Sequence, residues 1–335
     1  MGIREYMRTF GLTRRTALTG LAGASAVAAL PRKAKAAPTK ITFLTSWFAE
    51  AEHGGFYQAK ALGLYEKAGL DVTIKMGGPQ VNGMQLLTGG AADIVVGYDI
   101  QVLKSIENGL PVTTIGACFQ FDLQGVMTHA DVPSIAALKG HKVLIAASSH
   151  QTYWPWLKQR FGFTDDMAGV DTFNLQPFLL DKTLAMQGYP SSEPFEAAQM
   201  KEPVNFYLFA DAGYPPYGTT MVTTNAFLEK NPEAAAAFVK ASLEGWAEYL
   251  KNPAPGNRLI KIDNPKMPDD QIAFAVDWMV KNHVLDRGGV AVGSMTEARW
   301  QATRDFLVQA NLLKPDVPWK KAFTTKYVDG LNIRL

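Results

Sequence analysis

The residues of this chain best suited to chemistry are aromatic and acidic, and they fall just after short apolar runs. Trp47 and His53 follow Ile41–Leu44, Gly77-Gly78 follows Asp71–Met76, and Tyr98-Asp99 follows Asp93–Val96. Flat side chains beside a few polar groups suit the capture of a flat molecule by offset stacking, with the polar groups fixing its orientation. Trp47, Tyr57, Tyr98 and Tyr153 are the aromatic candidates, and His53 and Asp99 the polar ones. A second set lies further along. Ser148 and Ser149 precede Tyr153, where they either cap a helix or offer donors beside its free N–H groups. Ser192 and Glu193 stand directly before Pro194, a residue suited to a helix first turn. Glu193 has two readings from the residues alone: a carboxylate that favours the helix dipole, or a ligand contact.

Charge within these segments narrows the chemistry. Residues 45–57, 97–101, 146–153 and 188–195 contain no Arg or Lys, but they hold Glu50, Glu52, Asp99 and Glu193. An anionic ligand would call for arginine forks or lysine, or else for helix N-termini and serines, so the absence of Arg and Lys weakens that option without excluding it. Catalytic signatures are missing: there is no nucleophile elbow, zinc-binding H-E-x-x-H or phosphate-binding glycine-lysine loop. The five histidines show no metal-ligand spacing, and Cys118 is the single cysteine, which excludes an intrachain disulfide. No metal or cofactor is expected.

The elements that must position these residues alternate. Ile41–Leu44 reads as a strand, residues 56–68 as a helix closed by Gly69, and Asp71–Met76 as a strand. Asn82–Thr88 then reads as a helix and Asp93–Val96 as a third strand. That order begins a parallel sheet with right-handed crossovers, in which ligands bind beyond the carboxyl ends of the strands. A helix at Ile100–Glu107 and strands at Pro111–Gly116 and Lys142–Ala146 follow, then a helix at Tyr153–Phe161. Beyond Tyr217 the pattern is mostly helical, over Pro232–Leu250, Asp269–Asn282 and Thr296–Ala310, before a tail that packs back on the first part.

The segments F-L-T-S-W-F, H-G-G-F-Y-Q-A, G-L-Y-E-K-A-G-L-D-V, Q-L-L-T-G-G-A-A-D-I and N-G-L-P-V resemble one family. It is that of the periplasmic solute-binding proteins for thiamine-pyrimidine precursors, riboflavin, aliphatic sulfonates, taurine or nitrate, and the resemblance covers most of residues 40–250. It implies an α/β, two-lobed type 2 binding-protein fold, each lobe a mainly parallel sheet flanked by helices, with the ligand in the cleft. By the same resemblance, lobe 1 comprises residues 37–124 and 211–335 and lobe 2 residues 125–210. The chain would cross between them near residue 120 and again at 206–217. The implied activity is that of the extracytoplasmic component of an ABC importer. It would be a monomer that closes over a small molecule and delivers it to permease subunits in the inner membrane. Glu193 matches an acidic position of the pyrimidine-binding members, which favours a thiamine-type aminopyrimidine over riboflavin, and riboflavin over sulfonates. Fungal thiamine-pyrimidine synthases are similar too, but their cofactor lysine and sacrificial histidine correspond to Gly97 and Gln101, and their cysteine-rich run to residues 213–217. Without those groups there is neither Schiff base nor imidazole donor, so no enzyme is expected.

The first residues read as an address. Arg14-Arg15 precedes an apolar, small-residue run from Ala17 to Leu30, then Pro31 and the small-x-small site Ala34-Lys35-Ala36. This is the layout of a bacterial export signal, and the paired arginines suggest the twin-arginine route; cleavage is expected after Ala36, with a periplasmic destination. Residues 1–36 hold seven of the 33 basic residues and one of the 31 acidic ones, leaving 26 against 30 and a net charge of −4. The overall basic balance therefore belongs to the leader, and nucleic acid is not an expected partner.

Overall fold

Two five-stranded sheets carry the molecule, and both present carboxyl ends of parallel strands to the same gap. The computed structural model describes residues 37–335 except Pro79; the expected leader and its cleavage point lie outside the described residues. The first sheet has the order β2-β1-β3-β10-β4, from Leu70–Lys75, Thr39–Leu44, Ile94–Gly97, Gly218–Thr224 and Val112–Phe119. The second has the order β7-β6-β8-β5-β9, from Ala168–Val170, Lys142–Ile145, Leu184–Gly188, Gly125–His129 and Val204–Leu208. Ile41, Phe43 and Leu44 of β1 are all buried, as are all four residues of β3. Both faces of the sheet are covered, so its central strands read as apolar runs rather than alternating ones.

Each sheet is mainly parallel in strand direction, as expected, and is mixed through one reversed strand. β1 pairs in parallel with β2 and β3, while β10 runs antiparallel to both β3 and β4. In the second sheet β6 is parallel to β7 and β8, and β5 is antiparallel to β8 and β9. The reversed strands are the first to follow each crossing. β5 and β10 arrive from the other sheet and enter from the opposite end, so they cannot follow the βαβ direction of their neighbours.

Helices cover both sheets: α1 (Gly54–Ala61), α2 (Asp99–Glu107), α3 (Trp154–Phe161), α4 (Glu193–Gln199), α5 (Pro232–Lys251), α6 (Ala254–Asp263), α7 (Asp269–Lys281) and α8 (Glu297–Gln309). The helix expected over 56–68 is broken: Gly63, at φ 65°, takes a left-handed turn, and Leu64–Lys67 forms a separate short piece. The pair Gly54-Gly55 lets α1 press against α5, since a Cβ on Gly55 would lie 2.1 Å from the Trp246 ring. Phe43, Phe56, Phe238 and Trp246 meet there in one core. Each such fully buried phenylalanine contributes about 1.5–3 kcal/mol relative to exposure. The tail joins the first sheet through the bridge Thr114–Phe323, and Phe323 stacks on Trp300 at 4.9 Å. Among the described residues no helix is long and apolar enough to cross a membrane.

Candidate functional site

The segments beyond β1 and β3 face those beyond β7 and β8 across the gap. Trp47 is set by its own loop: the Thr45 hydroxyl donates to the Trp47 carbonyl at 2.7 Å and accepts from Gly77 N–H at 3.0 Å. Gly77 N–H also donates to the Trp47 carbonyl at 3.1 Å. The Trp47 ring then meets Phe173 of the opposite lobe, 5.1 Å between centroids, and Phe48 beside it at 5.6 Å. Tyr98, directly after β3, shares a hydroxyl–hydroxyl bond of 2.9 Å with Tyr189, directly after β8. Burial pushes the Tyr98 phenol up to about 12.

Acidic groups gather around these aromatics. The Ser191 hydroxyl donates to the Glu52 carboxylate across the gap. Glu193 opens α4, and its carboxylate reaches back to accept Tyr189 N–H at 2.6 Å. Burial raises the Glu193 carboxyl to about 8, with Glu196 and Asp171 adding repulsion against its backbone hydrogen bonds. Burial also raises Glu50 well above the usual carboxylate range, reinforced by Glu52 and Glu193, and raises Glu52 against the Ser191 bond. The main influences on these three acids are burial, other acids, a serine and backbone amides; no lysine or arginine is among them. A cavity of about 10 Å³, the size of one water, lies between the lobes, lined by Glu50, Glu52, Ser191, Ser192 and Gln271 among others.

The other expected residues divide. His53 is buried beside this cluster: its Nε2 lies 3.2 Å from the Ser46 hydroxyl, its Nδ1 has no partner, and burial lowers its pKa to about 4. Ser192 accepts from the Gln271 amide of α7 at 3.3 Å, another bond across the gap. Ser149 donates to the Gln187 side-chain oxygen at 2.8 Å and Ala146 N–H does so at 2.8 Å; the Tyr153 hydroxyl donates to the same oxygen. Ser149 and Tyr153 therefore hold the loop onto β8 and cap no helix; α3 starts after Tyr153 with no side-chain cap. The Tyr153 ring lies in the core against Phe209. Ser148 is exposed. Tyr57 stands outside the gap: its ring is in the core of the first lobe and its hydroxyl donates to Asp263 of α6 at 2.8 Å. Tyr57 sits one position from Phe56 on a helix buried all round, so its face is chosen by α5 and α6 rather than by the cleft.

Asp99 is fully buried where the chain returns to the first sheet. One oxygen accepts Tyr217 N–H at 3.0 Å and the other has no partner, and burial raises the carboxyl to about 7. Asp122, on the outgoing crossing, is likewise raised by burial to about 7. The residues that sequence reasoning passed over are Phe173, Tyr189, Ser191, Gln187 and Asp122. Tyr189 and Ser191 carried a signal, since they occupy the same post-strand segment as Glu193; Phe173 carried none.

Two mixed five-stranded sheets joined by two crossings, with the site between them, are the fold of the periplasmic binding proteins. The aliphatic sulphonate binding protein SsuA of Escherichia coli superposes with a TM-score of 0.64 at 17% identity, over 85% of this chain and 91% of that one. A model of the family described as "NMT1/THI5 like" matches residues 50–255, and the chain belongs to that family. A riboflavin-binding protein, RibY, of Chloroflexus aurantiacus is 24% identical over 95% of both chains. A 4-amino-5-hydroxymethyl-2-methylpyrimidine phosphate synthase of Aspergillus parasiticus is 25% identical over 64% of this chain and 68% of its own. A formylaminopyrimidine-binding protein of Halalkalibacterium halodurans is 24% identical over 64% and 67%.

Proposed function

We propose that the protein is the extracytoplasmic solute-binding component of an ABC importer and that it captures a planar, amino-bearing heterocycle of the thiamine-pyrimidine type. The observation that carries this reading is the meeting of Glu50, Glu52 and Glu193 with Tyr98, Tyr189 and Trp47 at the lobe boundary, with cations absent from the groups that tune the acids. An aminopyrimidine presents a ring nitrogen beside an amino group. A carboxylate binds that edge through two hydrogen bonds when the ring is protonated, and the aromatic side chains stack on its faces. Relatives named for riboflavin and formylaminopyrimidine binding support a flat heterocycle. A sulfonate would find no lysine or arginine among the groups that tune these acids to neutralise its charge.

The synthase chemistry of other relatives lacks its groups here. Gly97 and Gln101 stand at the lysine and histidine positions, and a Cβ at Gly97 would lie 2.7 Å from Val222, so that position is closed to a side chain. Closure over the ligand is coupled to binding, since Trp47, Tyr98 and Glu52 reach partners on the other lobe and must part to admit a ring. The solute then passes to permease subunits in the inner membrane. Isothermal titration with formylaminopyrimidine, riboflavin and an alkanesulfonate tests the ligand class, and small-angle scattering tests closure. Tight sulfonate binding without response to either heterocycle would overturn the reading.

A further inference from the structure

Phe173 serves no core. Trp47, Phe48 and Phe173 belong to none of the three hydrophobic clusters among the described residues, and Phe173 and Phe48 remain 50% and 41% exposed. Phe173 also holds a left-handed backbone, φ 57°, which strains a side chain of this kind. The neighbouring Asp171 maintains that shape: it is itself buried, its N–H donates to the Ile145 carbonyl at 3.0 Å, and its carboxylate accepts Phe173 N–H at 2.7 Å. The outcome of this arrangement is a single aromatic contact, reaching across the gap to Trp47 at 5.1 Å and 52°. A half-exposed phenylalanine held in a strained turn, outside every hydrophobic cluster among the described residues, has its one aromatic partner there on the other lobe.

Resting on the ligand reading above, we infer that Phe173 is a specificity-determining residue: with Trp47 and Phe48 it forms an aromatic gate that closes over a planar ligand and sets its release. Ring carbons in contact lie about 3.5–4.0 Å apart, so the Trp47–Phe173 pair must part to admit a flat molecule and then close against it. A flat ring presents a face or edge to both partners, whereas a slender aliphatic chain covers little of either. The gate thus selects for planarity, independently of the charge recognised by the carboxylates.

Release is followed by stopped-flow for formylaminopyrimidine and riboflavin from the parent protein and from Phe173→Ala, Phe173→Gly and Phe173→Leu. Loss of the ring should speed release about tenfold, about 1.4 kcal/mol, with the association rate within about threefold because interface changes act mainly on dissociation. Leu should be intermediate, and melting of the empty protein should be unchanged, or raised in the glycine variant where the strain is relieved. Unchanged release, or slower binding matched by an equal loss of melting temperature in all three variants, would overturn the gate. A parent that binds neither probe would sink the ligand reading alone. The gate is then decided by acrylamide quenching of Trp47, taken as the difference between parent and Trp47→Phe. Phe173→Ala must increase that quenching; no increase overturns the proposal.

Discussion

Replacing Glu193 with Gln separates a ligand contact from a structural one, because the two roles change different quantities in opposite directions. Gln has the shape of Glu and keeps an oxygen to accept the Tyr189 N–H, now 2.6 Å from the carboxylate. The turn before α4 is therefore retained. What disappears is the group's ability to ionise against a protonated ring. A hydrogen bond to a charged group is worth about 1.5–3 kcal/mol, so affinity for formylaminopyrimidine should fall roughly ten- to hundredfold. Stability should move the other way. Burial holds the Glu193 carboxyl at about 8 against an ordinary value of 4.5, so above pH 8 the empty parent carries an unpaired buried charge that the variant lacks. Melting of empty Glu193→Gln should exceed that of the parent at pH 9 by about 2 °C or more, and the two should converge at pH 5, where the parent is neutral. Isothermal titration at pH 7 and calorimetry at pH 5 and 9 read both effects. A variant that binds as tightly as the parent, or one whose melting temperature drops at both pH values, would refute the assignment.

Two further outcomes follow from the same geometry. Asp99 and Asp122 are held at about 7 and Glu193 at about 8, above unfolded carboxyl values of about 4. The folded state thus binds more protons than the unfolded one, and stability falls as pH rises through that window. His53, lowered to about 4, opposes this only below its unfolded value of about 6.5. Melting of the empty protein should therefore decline most clearly from pH 6.5 to 8.5, and a flat or rising profile there would contradict the burial of these acids. Gly55→Ala places a Cβ 2.1 Å from Trp246, an overpacking expected to cost about 1–3 kcal/mol in denaturant unfolding; an undisturbed midpoint would show that α1 and α5 pack less closely.

Much of the framework was legible in the residues. The strands at Ile41–Leu44 and before Tyr98 recur in the structure within a few residues, and Gly69 is left-handed as expected, although Gly63 breaks the helix before it. These features follow from periodicity and from glycine conformations that act within one turn. The helix Ala254–Asp263 was missed, since Pro255-Gly256 near its start reads as a loop. Which strand of each sheet is reversed was not legible, because strand direction depends on the route by which the chain arrives and not on the strand's own residues.

The site was legible only as a set of segments. Glu193, Tyr98 and Trp47 were marked by standing after strands, and the absence of Arg and Lys from these segments follows from composition alone. Which side chains meet was decided by tertiary structure. Tyr57 and Tyr98 are both tyrosines near strand or helix ends, yet one hydroxyl bonds to Asp263 and the other to Tyr189. Tyr98 and Tyr189 are 91 positions apart, and Glu52 and Ser191 are 139 apart. No local pattern relates such residues; they are neighbours because two crossings fold one lobe against the other. Phe173 shows the limit most plainly. Its sequence context marks a polar loop, and only the closed arrangement of both lobes places its ring against Trp47.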